Sequence, residues 1–328
     1  MDNLTNSVSD TAVRPRVFAT RRFPTRVREE LDWSFELDVH DSEWPPSRDA
    51  LLRRSAGCDG LMTMLTDRID DELLDSAGPQ LRVVANFAVG FDNVDVPACT
   101  RRGVVVSNTP DVLTQATAEL TIALMLALVR RVAEGDRLVR RREDWIWAPN
   151  MLLGHGLASR VLGLVGHGRI GQEVARLARA HGMEVVHSTS TGGLSLDELL
   201  ATADVVSLHV PLSAETHHLI GERALGLMKP TAALVNTSRG PIVDEAALAR
   251  ALTEKRIAGA ALDVFEREPE VTEALLALEN VVLTPHLGSA TLETREAMGM
   301  LCVEALRAVL LENRLPANAL NSEVWRGS

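Results

Sequence analysis

The sequence predicts an α/β protein with two doubly wound lobes, each a parallel sheet covered by helices. Short runs of aliphatic and β-branched residues alternate with helical patterns along nearly the whole chain, as in parallel strands joined by crossover helices. The strand candidates of the second half are near-continuous runs of Val, Leu, Ala and Ile, which is expected where helices cover both faces of a sheet. The length of 328 residues also suits two ordinary domains.

The first alternation runs from Arg16 to about Asn108. Its strand candidates are RVFAT, FELDV, DGLMTM, LRVVANF and VVVSNT. The first fifteen residues lack the apolar segment and cleavage site of a secretory signal, so residues 1–15 are expected to form a disordered tail.

Residues 111–131 predict a long helix, because Ala and Leu dominate the segment and Arg130 and Arg131 follow where the helix dipole favours cations. Its apolar residues cover most of the circumference, which favours a helix between the lobes that contributes to a homodimer contact; a purely internal helix is the alternative. The second alternation begins at Arg160 and ends at NVVLTP. A helix from about Thr291 to Asn313 then completes the first lobe.

Composition and charge exclude several classes of protein. A net charge of −11 would repel nucleic acid and anionic lipid, and the sequence has no uncharged apolar run of about 18 residues, so no membrane span is expected. Cys58, Cys99 and Cys302 are widely separated, which argues for reduced thiols in the cytoplasm and against a metal site. An anionic substrate would therefore need a local positive group.

A glycine-rich motif, GHGRIG, follows the strand candidate VLGLV and opens the helix candidate QEVARLARA. In this context the three glycines permit a tight turn, a close approach to a pyrophosphate and close packing of helix on strand. The sequence therefore predicts a dinucleotide site at Gly166, His167, Gly168, Arg169, Ile170 and Gly171. We expect residues 109–287 to form a Rossmann-type dinucleotide-binding domain, and residues 16–108 plus 288–328 to form a flavodoxin-like substrate domain.

The end of the second strand of this domain carries no carboxylate for the ribose 2′-hydroxyl, because residues 186–191 read VHSTST. Ser188, Thr189 and Ser190 could instead hydrogen-bond a 2′-phosphate, which favours NADP(H) over NAD(H). No arginine stands there to pair with that phosphate, so NAD(H) remains possible.

Three chargeable residues each follow a predicted strand: Arg239 in NTSRG, Glu268 in DVFEREP and His286 in LTPHLGS. The carboxyl ends of strands line the ligand crevice of an open α/β sheet, so these side chains should converge. Their chemistry is complementary: Arg239 offers a guanidinium fork for a carboxylate, His286 is a proton donor, and Glu268 is an acid that can stabilise imidazolium. Separately, each could be a surface ion pair or a solvated turn residue.

The motifs GHGRIG, NTSRGPIVDEAAL, ALDVFEREP and LTPHLGSAT resemble those of the D-isomer-specific 2-hydroxyacid dehydrogenases, from Arg16 to about Pro316. NFAVGFDNVDV and SNTPDVLTQATAEL look most like the glyoxylate/hydroxypyruvate reductase branch. The resemblance implies that Arg239 holds the substrate carboxylate, that His286 is the acid/base and that Glu268 raises its proton affinity. It also implies that Val89 and Gly90 bind the substrate carboxylate through their N–H groups. The implied cofactor contacts are Thr114, Val210, Pro211, Thr237, Ser238, Gly288 and Asp263, the last with the nicotinamide carboxamide.

The expected activity is the reduction of glyoxylate or hydroxypyruvate to a D-2-hydroxy acid with NAD(P)H. Formate or phosphite oxidation on the same scaffold is one alternative, although the formate enzymes place Gln where Glu268 stands; a non-catalytic nucleotide-sensing corepressor or scaffold is another. The connection after the second strand is about a dozen residues shorter than the family's. Trp145 and Trp147 could shape the pocket, or could anchor a packed loop.

Overall fold

The structure, a computed structural model, describes residues 14–325; residues 1–13 of the predicted tail lie outside this range. The chain divides into two compact units, one comprising Met1–Pro110 and Arg295–Ser328 and the other Asp111–Thr294. The sequence placed these boundaries after residues 108 and 287.

The first unit contains a five-stranded parallel sheet in the order β2-β1-β3-β4-β5. The strands are β1 (Arg16–Ala19), β2 (Glu36–Val39), β3 (Gly60–Thr63), β4 (Val83–Asn86) and β5 (Val105–Ser107). The helices between them are α1 (Thr25–Ser34), α2 (Arg48–Ser55), α3 (Asp71–Ala77) and α4 (Val96–Arg101). This strand order is that of flavodoxin-like folds, so the predicted architecture of this lobe is confirmed.

Local sequence signals begin the helices of this unit. The Asp70 side chain accepts the N–H of Leu73 at 3.1 Å, and Asp95 caps α4 by accepting the N–H of Ala98 at 2.8 Å. Side-chain oxygens at these positions satisfy donors that a helix start leaves unpaired. The caps thus end the connections that follow β3 and β4 at defined residues, and both strands are fully buried.

The second unit contains a seven-stranded sheet in the order β12-β11-β10-β9-β6-β7-β8. The strands are β6 (Val161–Val165), β7 (Glu184–Thr189), β8 (Gly192–Gly193), β9 (Val205–Leu208), β10 (Ala233–Asn236), β11 (Gly259–Leu262) and β12 (Val281–Leu283). All neighbouring pairs are parallel except β7 and β8. The order matches a Rossmann-type sheet in which β8 takes the place of the third strand, so the predicted fold class is confirmed.

Helices pack on both faces of this second sheet. They are α5 (Thr114–Val129), α6 (Val132–Arg140), α7 (Arg169–Ala180), α8 (Leu196–Thr202), α9 (Glu222–Leu227), α10 (Glu245–Thr253) and α11 (Glu273–Leu276), with a 3₁₀ turn at Gly240–Ile242. One apolar core joins Met125 and Val174 to Leu164, whereas the other joins Leu248 to Leu234. Alternate strand residues therefore face opposite layers, which explains why the strands are apolar throughout.

The predicted helix over residues 111–131 is observed as Thr114–Val129, because Arg131 has a left-handed backbone (φ +56°) that ends the run before α6. The helix predicted from about Thr291 to Asn313 is observed as α12 (Leu292–Leu310), and a 3₁₀ turn follows at Ser322–Val324. Within residues 14–325, no helix is long and apolar enough to cross a membrane.

The short connection after β7 forms a hairpin that the sequence did not predict. Only residues 190 and 191 separate β7 from β8, and a parallel crossover needs a dozen or more residues, so the chain must return antiparallel. Gly193 has φ +92°, and a Cβ atom on it would lie 2.1 Å from the carbonyl oxygen of His187. Glycine is therefore required at this position.

Candidate active site

The three candidate catalytic residues follow three adjacent strands of the second unit. Arg239 lies after β10, Glu268 after β11 and His286 after β12. Because these strands are parallel, their carboxyl ends meet at one edge of the sheet. The structure therefore brings the loops of all three residues to the edge that the sequence predicted.

His286 and Glu268 form a direct pair. Nδ1 of His286 lies 2.9 Å from Oε2 of Glu268, and the two side chains are 27% and 26% exposed. An ionised carboxylate only accepts hydrogen bonds, so this contact places a proton on Nδ1 and leaves Nε2 for another partner. The other carboxylate oxygen accepts the N–H of Phe265 at 3.1 Å.

The Glu268 carboxyl is held in its charged form. Burial opposes ionisation, but the hydrogen bond and charge of His286, the Phe265 N–H and the charge of Arg239 together lower the pKa of Glu268 below its usual value. The contact with this carboxylate fixes the orientation of the His286 imidazole. The pair is thus suited to donate a proton to a developing alkoxide.

Asp263 fixes the loop that presents His286. Its side chain is fully buried; Oδ1 accepts the Thr284 hydroxyl at 2.6 Å and the Leu287 N–H at 2.7 Å, and Oδ2 accepts the Gly288 N–H at 2.8 Å. The Asp263 carbonyl also accepts the His286 N–H at 2.8 Å, where the histidine backbone is left-handed (φ +55°).

This anchoring role of Asp263 was missed by the sequence analysis, which expected only a contact with the carboxamide. Burial raises the pKa of Asp263, and the hydrogen bonds it accepts oppose that rise only in part. The expected carboxamide contact stays a prediction. The signal that could have revealed the anchor is Gly288, two residues after His286, since a small turn residue leaves its N–H group accessible.

Arg239 is positioned by contacts within its own turn. Its Nη1 donates to the Ser238 carbonyl at 2.8 Å, and its carbonyl accepts Nδ2 of Asn236 at 2.9 Å. The next residue, Gly240, lies so close to the loop after β11 that a Cβ atom would be 1.9 Å from the carbonyl carbon of Phe265. This approach brings the guanidinium loop and the glutamate loop together, which explains why the Arg239 charge acts on Glu268.

The glycine-rich turn between β6 and α7 has the features of a pyrophosphate cradle. Gly166 has φ +93°, and a Cβ atom on Gly171 would lie 2.7 Å from the Gly166 carbonyl oxygen, so both positions need glycine. A Cβ atom on Gly168 would have no neighbour within 4 Å, which leaves open space over the turn. No side chain caps the start of α7 at Gly168, so its N–H groups remain suited to an anion.

The other predicted cofactor residues lie at or near this carboxyl edge, in the second unit. Thr114 begins α5, and Thr237 Oγ1 lies 2.9 Å from the Thr121 hydroxyl. In the hairpin, the Thr189 hydroxyl donates to the Gly192 carbonyl at 2.8 Å. The remaining candidates follow the sheet edge: Arg169 and Ile170 at the start of α7, Ser188 and Ser190 at the end of β7, Val210 and Pro211 after β9, Ser238 after β10, and Gly288 after β12.

The predicted substrate residues Val89 and Gly90 lie in the first unit, in the turn after β4. The Val89 carbonyl accepts Nδ2 of Asn108 at 2.8 Å, and the Gly90 carbonyl accepts Nδ2 of Asn86 at 3.1 Å. These two amides, which the sequence analysis did not single out, shape the turn. Binding of a carboxylate by the N–H groups of Val89 and Gly90 stays a prediction.

The segment EDWIWAP is not packed within the chain. Trp145, Ile146 and Trp147 are 59%, 76% and 82% exposed, so a packed loop anchor does not describe their place in a single chain. Across residues 14–325, no group of His, Cys, Asp and Glu side chains is arranged to hold a metal ion.

Comparison with known proteins shows the family of this chain. A profile for the "D-isomer specific 2-hydroxyacid dehydrogenase, NAD binding domain" matches residues 122–288. The glyoxylate reductase of Thermococcus litoralis is 44% identical over 96% of this chain and 99% of that protein, and the enzyme of Aeropyrum pernix is 49% identical over 95% and 97%. The chain belongs to the D-isomer-specific 2-hydroxyacid dehydrogenases.

Solved structures agree with this assignment. A Thermus thermophilus protein is 46% identical, with a TM-score of 0.88 over 93% of this chain and 99% of that one. An NADPH-dependent glyoxylate/hydroxypyruvate reductase of Sinorhizobium meliloti, solved with NADP and malonate, is 35% identical with a TM-score of 0.82 over 96% and 99%. The predicted resemblance to the glyoxylate reductase branch is confirmed, and this dehydrogenase is an NAD(P)-dependent oxidoreductase.

Proposed function

We propose that this dehydrogenase reduces glyoxylate or hydroxypyruvate to the D-2-hydroxy acid, with His286 as the general acid. The observation that carries the proposal is the 2.9 Å contact between His286 Nδ1 and Glu268 Oε2. It gives an imidazolium whose Nε2 proton is available to a carbonyl oxygen. The relatives named glyoxylate reductase support the choice of substrate.

The proposed roles of the other residues follow from their chemistry. Arg239 holds the substrate carboxylate through its planar fork, which fixes the direction of the neighbouring keto group. Glu268 keeps the imidazolium charged and oriented, and Asp263 positions its loop. In the first unit, Val89 and Gly90 offer N–H groups suited to a carboxylate. We accordingly assign cofactor binding to the unit of Asp111–Thr294, which also carries Arg239 and His286, and further substrate contacts to the unit of Met1–Pro110 and Arg295–Ser328.

A nicotinamide dinucleotide supplies the hydride when it is bound. The turn of Gly166, Gly168 and Gly171 fits its pyrophosphate, because the backbone is closely packed at Gly166 and Gly171 and open at Gly168. NADP(H) is the preferred form in this proposal, since residues 185–195 contain no carboxylate to repel a 2′-phosphate. The dinucleotide named for the Sinorhizobium meliloti relative supports the same choice.

We also propose that the protein acts as a cytoplasmic homodimer. The exposed apolar side chains of Trp145, Ile146 and Trp147 form a segment of a kind usually covered in an assembly. Sedimentation of the wild type at micromolar concentration tests this: a dimer is expected, and a monomer would contradict it. The variant Trp147→Ala should weaken the dimer.

Steady-state assays with glyoxylate and hydroxypyruvate, each with NADPH and NADH, test the enzymatic proposal. We expect turnover with both acids and a higher kcat/KM with NADPH. Phosphite and formate, assayed with NADP and NAD, serve as the contrasting substrates. Oxidation of either in the absence of any 2-oxo acid reduction would overturn the proposal, and binding of dinucleotide with no turnover of any substrate would favour a sensing role.

A further inference from the structure

Two stacked imidazoles lie beside the glycine-rich turn. His167 follows Gly166 after β6, and His187 lies at the carboxyl end of β7, directly opposite Leu164 in the parallel register. Their ring centroids are 4.4 Å apart, and their planes differ by 13°. The strand pairing and the turn thus fix the two rings against each other.

His187 occupies the region in which this fold reads the adenosine ribose. NAD sites of the fold carry a carboxylate there, and NADP sites an arginine. From Val185 to Ser195, His187 is the one ionisable residue of the sequence. The hydroxyl of Thr189, a candidate phosphate donor, already donates to the Gly192 carbonyl at 2.8 Å.

We propose that His187, stacked on His167, recognises the 2′-phosphate of NADP(H) as an imidazolium, in the place of an arginine. This inference rests on the proposed NADP(H) preference and names the residue responsible for it. Because histidine changes its charge between about pH 5 and 8, the recognition is also pH-dependent.

The imidazoles beside His187 are suited to the neutral form. Nδ1 of His167 is buried and, within the part of the chain that the structure describes, has no hydrogen-bond partner. Burial, then the charges of His187 and Arg179, lower the pKa of His167, which favours the neutral form of this ring. A neutral aromatic face favours a cation stacked on it. His209, after β9, also stays neutral, since burial lowers its pKa to about 4.

The carboxylates of the neighbouring helices have other partners. On α8, Asp197 pairs with Arg223 at 2.7 Å, and Glu198 accepts the Ser195 hydroxyl at 2.7 Å in the helix cap. On α7, Arg176 pairs with Glu173. These carboxylates are thus already engaged, and a protonated His187 is left to meet an anionic ligand.

The sign of the pH effect is distinctive. The imidazolium form binds phosphate and is lost as the pH rises through the histidine range. A phosphate monoester gains negative charge over the same range, because its second pKa is about 6. A site built from neutral hydroxyls would therefore hold or gain affinity as the pH rises, whereas the His187 site loses it.

Calorimetric titration with adenosine 2′,5′-bisphosphate and with 5′-AMP tests the inference without turnover. The readout is the ratio of the two dissociation constants, measured at about pH 6 and about pH 8, for wild type, His187→Gln and the control His155→Gln, an exposed histidine. Near pH 6, the preference for the bisphosphate over 5′-AMP, given by this ratio, should be roughly 10-fold larger in the wild type and the control than in His187→Gln. One charge-assisted hydrogen bond has this size. This difference should vanish near pH 8.

The same preference in wild type and His187→Gln at both pH values would overturn the assignment. If His187→Gln does not fold, the wild type alone decides: a bisphosphate preference that rises with pH overturns the inference. Glyoxylate reduction by the wild type is measured in parallel. Its absence would refute the proposed function while the nucleotide titrations still report on His187.

Discussion

The Asp263 carboxylate accepts the backbone N–H of Gly288 at 2.8 Å from a fully buried position. This bond and its counterpart to Leu287 connect the end of β11 to the turn that carries His286. The orientation of the imidazole therefore depends on a buried carboxylate at the end of the neighbouring strand.

Replacing Asp263 with Asn should loosen this turn. An amide NH₂ would face a backbone N–H, so at least one donor loses its acceptor, at a cost of about 1–3 kcal/mol in unfolding free energy. Urea denaturation measures that cost, and kcat for glyoxylate should fall in the same variant. Asp197→Asn, at an exposed carboxylate, is the control and should change neither quantity much. Wild-type stability and turnover in Asp263→Asn would exclude the anchoring role.

Replacing His286 with Ala should remove the general acid. We expect kcat to fall by roughly 10²–10⁴-fold, the usual contribution of such a group. Fluorescence titration with NADPH checks that cofactor binding persists. Near-normal turnover in a folded variant that binds NADPH would show that another residue donates the proton.

Replacing Glu268 with Gln should change the pH dependence of reduction. The lowered pKa of Glu268 means that this carboxylate is charged at neutral pH and supports the imidazolium of His286. Reduction needs the imidazolium, so activity is present at low pH and is lost as the pH rises. In the variant, this loss should occur at lower pH.

The kcat/KM profile for glyoxylate, measured across the alkaline limb, reports this shift. Glu270→Gln, which changes an exposed neighbour, should retain the wild-type profile. An alkaline limb that does not move in Glu268→Gln would contradict the proposed support of His286.

Replacing Arg239 with Lys should damage substrate binding although the charge is conserved. An ammonium group cannot make the two parallel hydrogen bonds of a guanidinium fork, so KM for glyoxylate should rise by roughly 10-fold or more. Arg267→Lys, at an exposed arginine, provides the comparison. Equal kinetic constants in Arg239→Lys and wild type would rule out the carboxylate clamp.

Two glycine variants should separate packing from cofactor binding. Gly171→Ala places a Cβ atom 2.7 Å from the Gly166 carbonyl oxygen, so it should lower stability by about 1–3 kcal/mol. Gly168→Ala meets nothing within 4 Å and should keep the wild-type melting temperature, but its methyl group should weaken dinucleotide binding. Thermal melts and NADPH titrations distinguish the two. A strongly lowered melting temperature in Gly168→Ala would contradict the open space described around this glycine.

Much of the fold follows from local sequence signals. The alternation of apolar strand runs with helical patterns and the context of GHGRIG predicted both sheets and most of their helices. The hairpin of β7 and β8 was not predicted, because a two-residue strand has no period to detect. Its direction follows from the length of the connection rather than from residue type.

The sequence by itself determined which residue types stand at the strand ends, since parallel connectivity sends Arg239, Glu268 and His286 to one edge of the sheet. Tertiary structure decided what they contact. The 2.9 Å pair of His286 and Glu268, the Asp263 anchor and the stack of His167 on His187 all join residues distant along the chain. Such contacts depend on ångström-scale packing of separate loops, which residue type and periodicity do not encode locally.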